Sequence, residues 1–269
     1  WREGGISARQ LIEAGEAARK ARRYEEALEW YGRAIRLEPG LADGWYHVGI
    51  VFQEENKWEQ SLYALDRAID LEPGLAGAYI AQARVLAFGY GEYEAARAKA
   101  EKGLRVAPGD EEILYQAAQF FLEIQDNIRA EGLFKAALSL APKNLYIWIG
   151  LGQSLFAQER FGEALEAFKQ ASLIQTGTWQ DAIAHAWLGN TYIALDKPCD
   201  ALREYRLAAQ LHPADSDNFV RLGDAYQRVG EKDKALEAYQ QALSINSGNE
   251  WALKRISEIQ NEGSPGKQR

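Results

Sequence analysis

Large apolar and small residues recur along this chain at helical spacing, in two alternating kinds of stripe. In the segment from Ala42 to Leu75, Trp45, Val48, Gly49 and Phe52 are three, one and three residues apart, which puts them on one face of a first helix. Ser61, Leu65 and Ala68, four and three apart, form the facing stripe of a second helix. Gly49 in the contact predicts that the two helices approach closely. Pro73 withdraws a backbone donor and biases Glu72 away from helical geometry, so the second helix is predicted to stop there. One such pair cannot bury both stripes, whereas stacked pairs share a continuous core.

The unit returns with a period of 34 residues, over 8–41, 42–75, 76–110, 111–144, 145–178, 182–215 and 216–249. Its small position is filled by Gly15, Gly49, Ala83, Ala118, Gly152, Gly189 and Gly223, and its large second-helix position by residues such as Tyr31, Leu65, Phe134, Phe168, Tyr205 and Tyr239. The unit 76–110 has one extra residue, expected in the turn around Phe88-Gly89-Tyr90-Gly91, and Trp179 to Asp181 are inserted before the sixth unit. Ser7 with Gln10 reads as a capping box for the first helix, after a loose lead-in from Trp1 to Ile6. Asn249 caps a last helix at 250–261, whose Leu253, Ile256 and Ile259 are expected to pack while Lys254, Arg255 and Glu258 face out; 262–269 reads as a disordered tail.

Seven units in register over about residues 7–261 closely resemble the tetratricopeptide repeat (TPR) family. The resemblance implies an all-α fold, a right-handed superhelical solenoid of antiparallel helix pairs, here a single array over 1–261. It also implies that first helices line a concave groove in which partners bind as extended peptides or helices.

Composition narrows the partners. A formal net charge of -8 and a sequence pI of about 5.2 argue against nucleic acid or an anionic membrane surface. No run of 18 apolar residues is present, so direct membrane insertion of this segment is not expected. The single Cys199 rules out an internal disulfide framework and reads as a free surface thiol. A chain without methionine that starts at Trp1 reads as a processed chain or an excised domain, which leaves localisation open.

Catalysis needs ionisable groups converging in one pocket. His47, His185 and His212 stand in different units without metal-ligand spacing, and His185 takes a core aromatic's place and reads as a satisfied core histidine. The Gly150-Leu151-Gly152-Gln153-Ser154 run lies inside a helix, not at a strand-to-helix turn. No catalytic residue, metal or cofactor is expected.

The groove-lining positions implied by the resemblance are mixed and charged in the first four units. In the fifth and sixth, Tyr146, Ile149, Gln153 and Phe156, then Ile183, Trp187, Asn190 and Ile193, contain no charge. Trp179, Ile183 and Trp187, four apart, are expected on one side of a first helix lengthened by the insertion and capped by Thr178 with Asp181. Asp217, Arg221, Asp224 and Arg228 form a polar border. An apolar patch with a charged rim marks a protein-binding site. Trp187 is the expected anchor, Gln153 and Asn190 pair with a ligand backbone, and Arg221 takes a carboxylate. The Lys- and Asn-based clamp of chaperone-binding relatives is not matched, since Ile149, Gln153, Trp187, Asp217 and Arg221 keep only the arginine. The expected function is therefore a non-catalytic scaffold for a protein or peptide ligand. Two alternatives stand beside it: an accessory domain of a larger membrane or envelope enzyme, such as a polysaccharide polymerase or ligase, contacting glycan; and self-assembly into a homo-oligomer through the same patch.

Overall fold

A computed structural model of the chain describes residues 6–262; the lead-in before Ile6 and the tail after Glu262 lie outside the described residues. All regular structure among the described residues is helical. The chain divides into two compact units, with the boundary in sequence between Leu140 and Ala141. The first contains α1 (Ala8–Lys20), α2 (Tyr24–Leu37), α3 (Ala42–Glu54), α4 (Trp58–Leu71), α5 (Ala76–Arg84), α6 (Tyr93–Val106), α7 (Glu111–Glu123) and α8 (Asn127–Leu140). The second contains α9 (Leu145–Ala157), α10 (Phe161–Leu173), α11 (Asp181–Ala194), α12 (Pro198–Leu211), α13 (Ser216–Arg228), α14 (Lys232–Ile245) and α15 (Glu250–Glu262).

Within each unit, consecutive helices form hairpins through one repeated turn. After each odd-numbered helix from α1 to α13, one residue adopts positive φ: Arg22, Asn56, Gly91, Gln125, Glu159, Asp196 and Gly230. The next backbone N–H then reaches back to the last turn of the helix, as in Arg23 N–H to Ala18 O at 2.9 Å and Glu231 N–H to Tyr226 O at 2.9 Å. This satisfies carbonyls that the helix end would otherwise leave orphaned. The return turns follow the proline logic: Glu38, just before Pro39, sits at φ -133 and ψ 87, and Leu41 N–H closes the turn on Glu38 O at 3.0 Å. Asn246 to Asn249 closes the same way with Ser247 in place of proline.

The small position does what its spacing predicts. A Cβ added to Gly49 would lie 2.7 Å from Leu65, and one added to Gly15, Gly152, Gly189 or Gly223 would lie 2.3–2.5 Å from the ring of Tyr31, Phe168, Tyr205 or Tyr239. Those rings are buried, so each hairpin closes by seating a large side chain of its second helix in a notch of its first. The residue after the notch then pairs with the ring. Glu16 accepts from the Tyr31 hydroxyl at 2.8 Å, Asn190 from Tyr205 at 2.8 Å, and Asp224 from Tyr239 at 2.7 Å. Where the ring is Phe134 or Phe168, that position holds Gln119 or Gln153, and opposite Leu65 it holds Ile50.

Three local expectations are corrected. The extra residue of the third unit is absorbed before the turn, in a π-helical stretch Val85–Gly89 that continues α5. Widening one turn takes up a residue without disturbing the hairpin. The insertion at Trp179–Asp181 does not lengthen the helix backwards: α11 starts at Asp181, Trp179 lies in the preceding turn, and Gln180 occupies the cap position without a side-chain bond. The Asp181 carboxylate instead holds the loop, accepting from the Thr176 hydroxyl at 2.7 Å and from the backbone N–H groups of Thr176 and Gly177 at 2.9 and 3.0 Å. In α15, Asn249 caps as expected, its side chain accepting from Ala252 N–H at 3.1 Å. Leu253, however, is exposed, and Ala252 and Ile259 are the buried residues. Nor does Arg255 face out: its guanidinium lies 3.0 Å from both Asp224 and Glu258.

Glu16 ties the first unit's terminal hairpin to α3, with Arg19 Nε at 2.8 Å, Tyr31 Oη at 2.8 Å and His47 Nδ1 at 3.0 Å. Burial alone would raise its pKa, but the hydrogen bonds from His47, Arg19 and Tyr31 outweigh burial and hold the carboxyl well below the usual range. Because the folded value is depressed, this stabilisation is complete above the unfolded carboxylate pKa, roughly 4.3, and is lost as pH falls below it. Denaturant titrations at pH 7, 5 and 3 are therefore expected to show Glu16→Gln less stable at pH 7 and less sensitive to acid than the parent.

Candidate functional site

In the second unit, α11, α13 and the turns before them enclose a cavity of about 320 Å³. Its apolar wall is Trp179, Ala182, Ile183, Ala186 and Trp187; His212, Asp215, Asn218, Asn190 and Arg221 complete it. The rigid part is Trp187. Its ring stacks on buried Phe168 at 5.5 Å and 11°, and meets the edge of Phe156 at 5.7 Å. Trp187 is thus a preset wall, while Trp179, 51% exposed and 5.2 Å from the His212 ring, forms the rim.

Two of the polar groups, Asn190 and Arg221, present donors; Asp215 lines the cavity as a carboxylate. Asn190 Oδ1 is occupied by the Tyr205 hydroxyl, which burial keeps protonated by raising its pKa, and this leaves the Asn190 amide N–H groups to donate. Asn218, only 2% exposed, donates to Ala208 O at 3.5 Å and accepts from Arg221 Nη1 at 3.4 Å. That bond orients the guanidinium without neutralising it. The nearest acidic candidate on the same helix, Asp224, is committed to Tyr239 and Arg255, and among the described residues no carboxylate pairs with Arg221. Asp215 caps α13, its Oδ1 accepting from Asp217 N–H at 2.9 Å, and its Oδ2 lies 3.9 Å from His212 Nδ1.

Of the expected site residues, Trp179, Ile183, Trp187, Asn190 and Arg221 come together in this cavity. The others do not. Ile149 is buried at 5% exposure, so it offers almost no surface. Phe156 serves as a support between Phe161 and Trp187, and Ile193 packs into the core around Tyr205. Tyr146 is exposed and Gln153 half-buried, neither lining the cavity. Asp224 and Arg228 line a separate cavity of about 270 Å³ with Gln227 and Arg255. His212, Asp215 and Asn218 were missed because they belong to the end of one hairpin and the start of the next, away from the first-helix stripe. His185 is the paired histidine expected, with Nδ1 2.8 Å from Glu204 Oε2. Burial raises the Glu204 pKa, but His185 and Arg203 outweigh it and leave the carboxyl below its ordinary value.

Notched helix hairpins in tandem, with side chains gathered between successive first helices, define an α-helical repeat protein. Tetratricopeptide repeat models match residues 15–55, 125–186 and 219–249. The chain belongs to the tetratricopeptide repeat family. Among curated relatives, BBSome complex member BBS4 of Bos taurus is 29% identical over 162 residues, covering 59% of this chain and 30% of the relative. Heat shock protein STI1 of Saccharomyces cerevisiae is 25% identical over 108 residues, covering 40% of this chain and 18% of the relative. The matched segments thus span less than a third of either relative. The human IFIT1 dimer with m7Gppp-AAAA superposes with a TM-score of 0.72 at 17% identity, over 97% of this chain and 64% of that one, a likeness of fold alone. The repeat family is in general a non-catalytic, protein-binding scaffold. No described helix is long and apolar enough to cross a membrane.

Proposed function

We propose that this chain is a protein-interaction scaffold whose α11–α13 cavity takes a short peptide segment bearing an apolar side chain beside a carboxylate. The observation that carries the reading is Arg221, a guanidinium without a carboxylate partner among the described residues, facing a pocket walled by Trp179, Ile183 and Trp187. An unpaired guanidinium next to apolar walls is poised for charge-assisted bonds that water competes for weakly. Asn190 supplies a second donor for the same oxygen atoms or for a ligand carbonyl. The apolar side chain fits against Ile183, Ala186 and Trp187, a surface already held in place by Phe156 and Phe168, so little ordering is needed on binding.

Selection of random peptides displayed with free C termini, against the whole chain, tests this. The enriched peptides are expected to share an aromatic or aliphatic residue within two positions of the terminal carboxylate or of Asp/Glu. Enrichment of basic peptides without a carboxylate requirement, or no enrichment, would refute the assignment.

A further inference from the structure

A cavity of about 540 Å³ in the first unit lies among α1, α3, α5 and α7 and has the opposite chemistry. Its ionisable side chains other than tyrosines are Glu16 and Arg19 from α1, His47 from α3, Arg84 from α5, and Glu112 and Glu123 from α7. Most are already matched. Arg19 is shared between Glu16 and Glu54, and the Arg84 guanidinium is closed off by Glu123, with Nε at 2.9 Å and Nη2 at 3.4 Å from the two carboxylate oxygens. Glu112 is the carboxylate left over: its bond is to the neutral amide of Gln116 at 2.8 Å, and no cation among the described residues pairs with it.

The surroundings of Gly77 supply the acceptors that a cation would meet. Gln116 Nε2 is committed to Glu112, which leaves Gln116 Oε1 as an acceptor facing the cavity. A Cβ built on Gly77 would lie 3.3 Å from Tyr46 Oη and 3.5 Å from Gln116 Oε1, so both oxygens border the cavity where α5 presents no side chain. Burial raises the Tyr46 pKa, which keeps its hydroxyl neutral, and its oxygen has acceptor capacity to spare. Two neutral acceptors and the Glu112 carboxylate form a receptor for an ammonium or guanidinium group.

We infer that the cavity over Gly77 is a cation-recognition site that takes a Lys or Arg side chain of a partner polypeptide. A peptide is the source the setting favours: four successive first helices line the cavity, and a basic side chain enters it from a backbone lying across them. The site rests on side chains separate from those around Arg221, so either stands if the other fails.

The test is a heteronuclear NMR titration of the whole chain with Ac-Gly-Lys-Gly-NH2, Ac-Gly-Arg-Gly-NH2, Ac-Gly-Glu-Gly-NH2 and putrescine. The basic tripeptides are expected to shift the backbone resonances of Tyr46, Gly77 and Gln116, with the glutamate peptide leaving them in place and putrescine acting at least about tenfold more weakly. Glu112→Gln is expected to weaken the response about tenfold, the effect of neutralising one partner of a charged hydrogen bond. Gly77→Ala, which favours the helix but places a methyl between the two acceptors, is expected to abolish it. No shift with either basic peptide, equal shifts with the glutamate peptide or putrescine, or an unchanged response in both variants would overturn the assignment.

Discussion

Phe168→Ala is expected to lower the unfolding free energy of the chain by about 3–5 kcal/mol, as for other buried aromatic truncations. The ring is fully buried and seats on Gly152, which has no side chain with which to refill the space. It also carries Trp187, stacked at 5.5 Å. The loss is therefore felt twice, as a cavity within the α9–α10 hairpin and as a loosened wall of the neighbouring α11. Because each repeat is stabilised chiefly by its neighbours, urea titrations followed by circular dichroism and by tryptophan emission should both shift to lower midpoint. A shift worth less than about 1 kcal/mol would mean that the notch-and-ring contact is not what closes the hairpin.

The second large effect concerns binding. Ile183→Asp is expected to weaken the selected carboxylate peptides by about thirtyfold or more, the loss typical of removing an interface anchor, here made worse by a carboxylate facing the ligand's own. Arg221→Gln is expected to cost the same peptides about tenfold to a hundredfold, since it removes a charge-assisted pair while keeping the amide that faces Asn218. Both side chains are only partly buried, so the circular dichroism of each variant should match the parent. Fluorescence anisotropy with labelled peptides measures the affinities. Equal affinity of parent and both variants would place the peptide elsewhere.

The hairpin fold was legible because its signals are local and repeat. Gly49, Leu65 and Pro73 each carry a physical meaning on their own, and seven copies average out exceptions such as Thr176. The left-handed turn residues were hidden, since only Gly91 and Gly230 of that set are glycines while Arg22, Gln125 and Glu159 look like ordinary helix formers. The π-helical stretch at Val85–Gly89 was hidden as well: period counting detects an extra residue but not which backbone segment absorbs it.

At the candidate site, the uncharged stretch on α11 was legible in the sequence, and Ile183, Trp187 and Asn190 do share a cavity. Spacing by fours misled for Trp179, which reaches the cavity from a turn held by Asp181. Ile149 shows the other limit, since an apolar residue at a groove position satisfies the pattern equally well when neighbours bury it. The state of Arg221 could not be read from sequence at all. Asp217 and Asp224 lie within four residues of it, and only the geometry shows Asp224 turned to Tyr239 and Arg255.

The most direct measurement is of the indole N–H resonances of Trp179 and Trp187, assigned by single Trp→Phe variants, during titration with a selected carboxylate peptide. Both signals are expected to move, saturating together at the affinity measured by anisotropy, and to stay still when the peptide is added to Ile183→Asp. A peptide that binds the chain tightly while leaving both indoles unmoved would contradict the assignment of the pocket between α11 and α13.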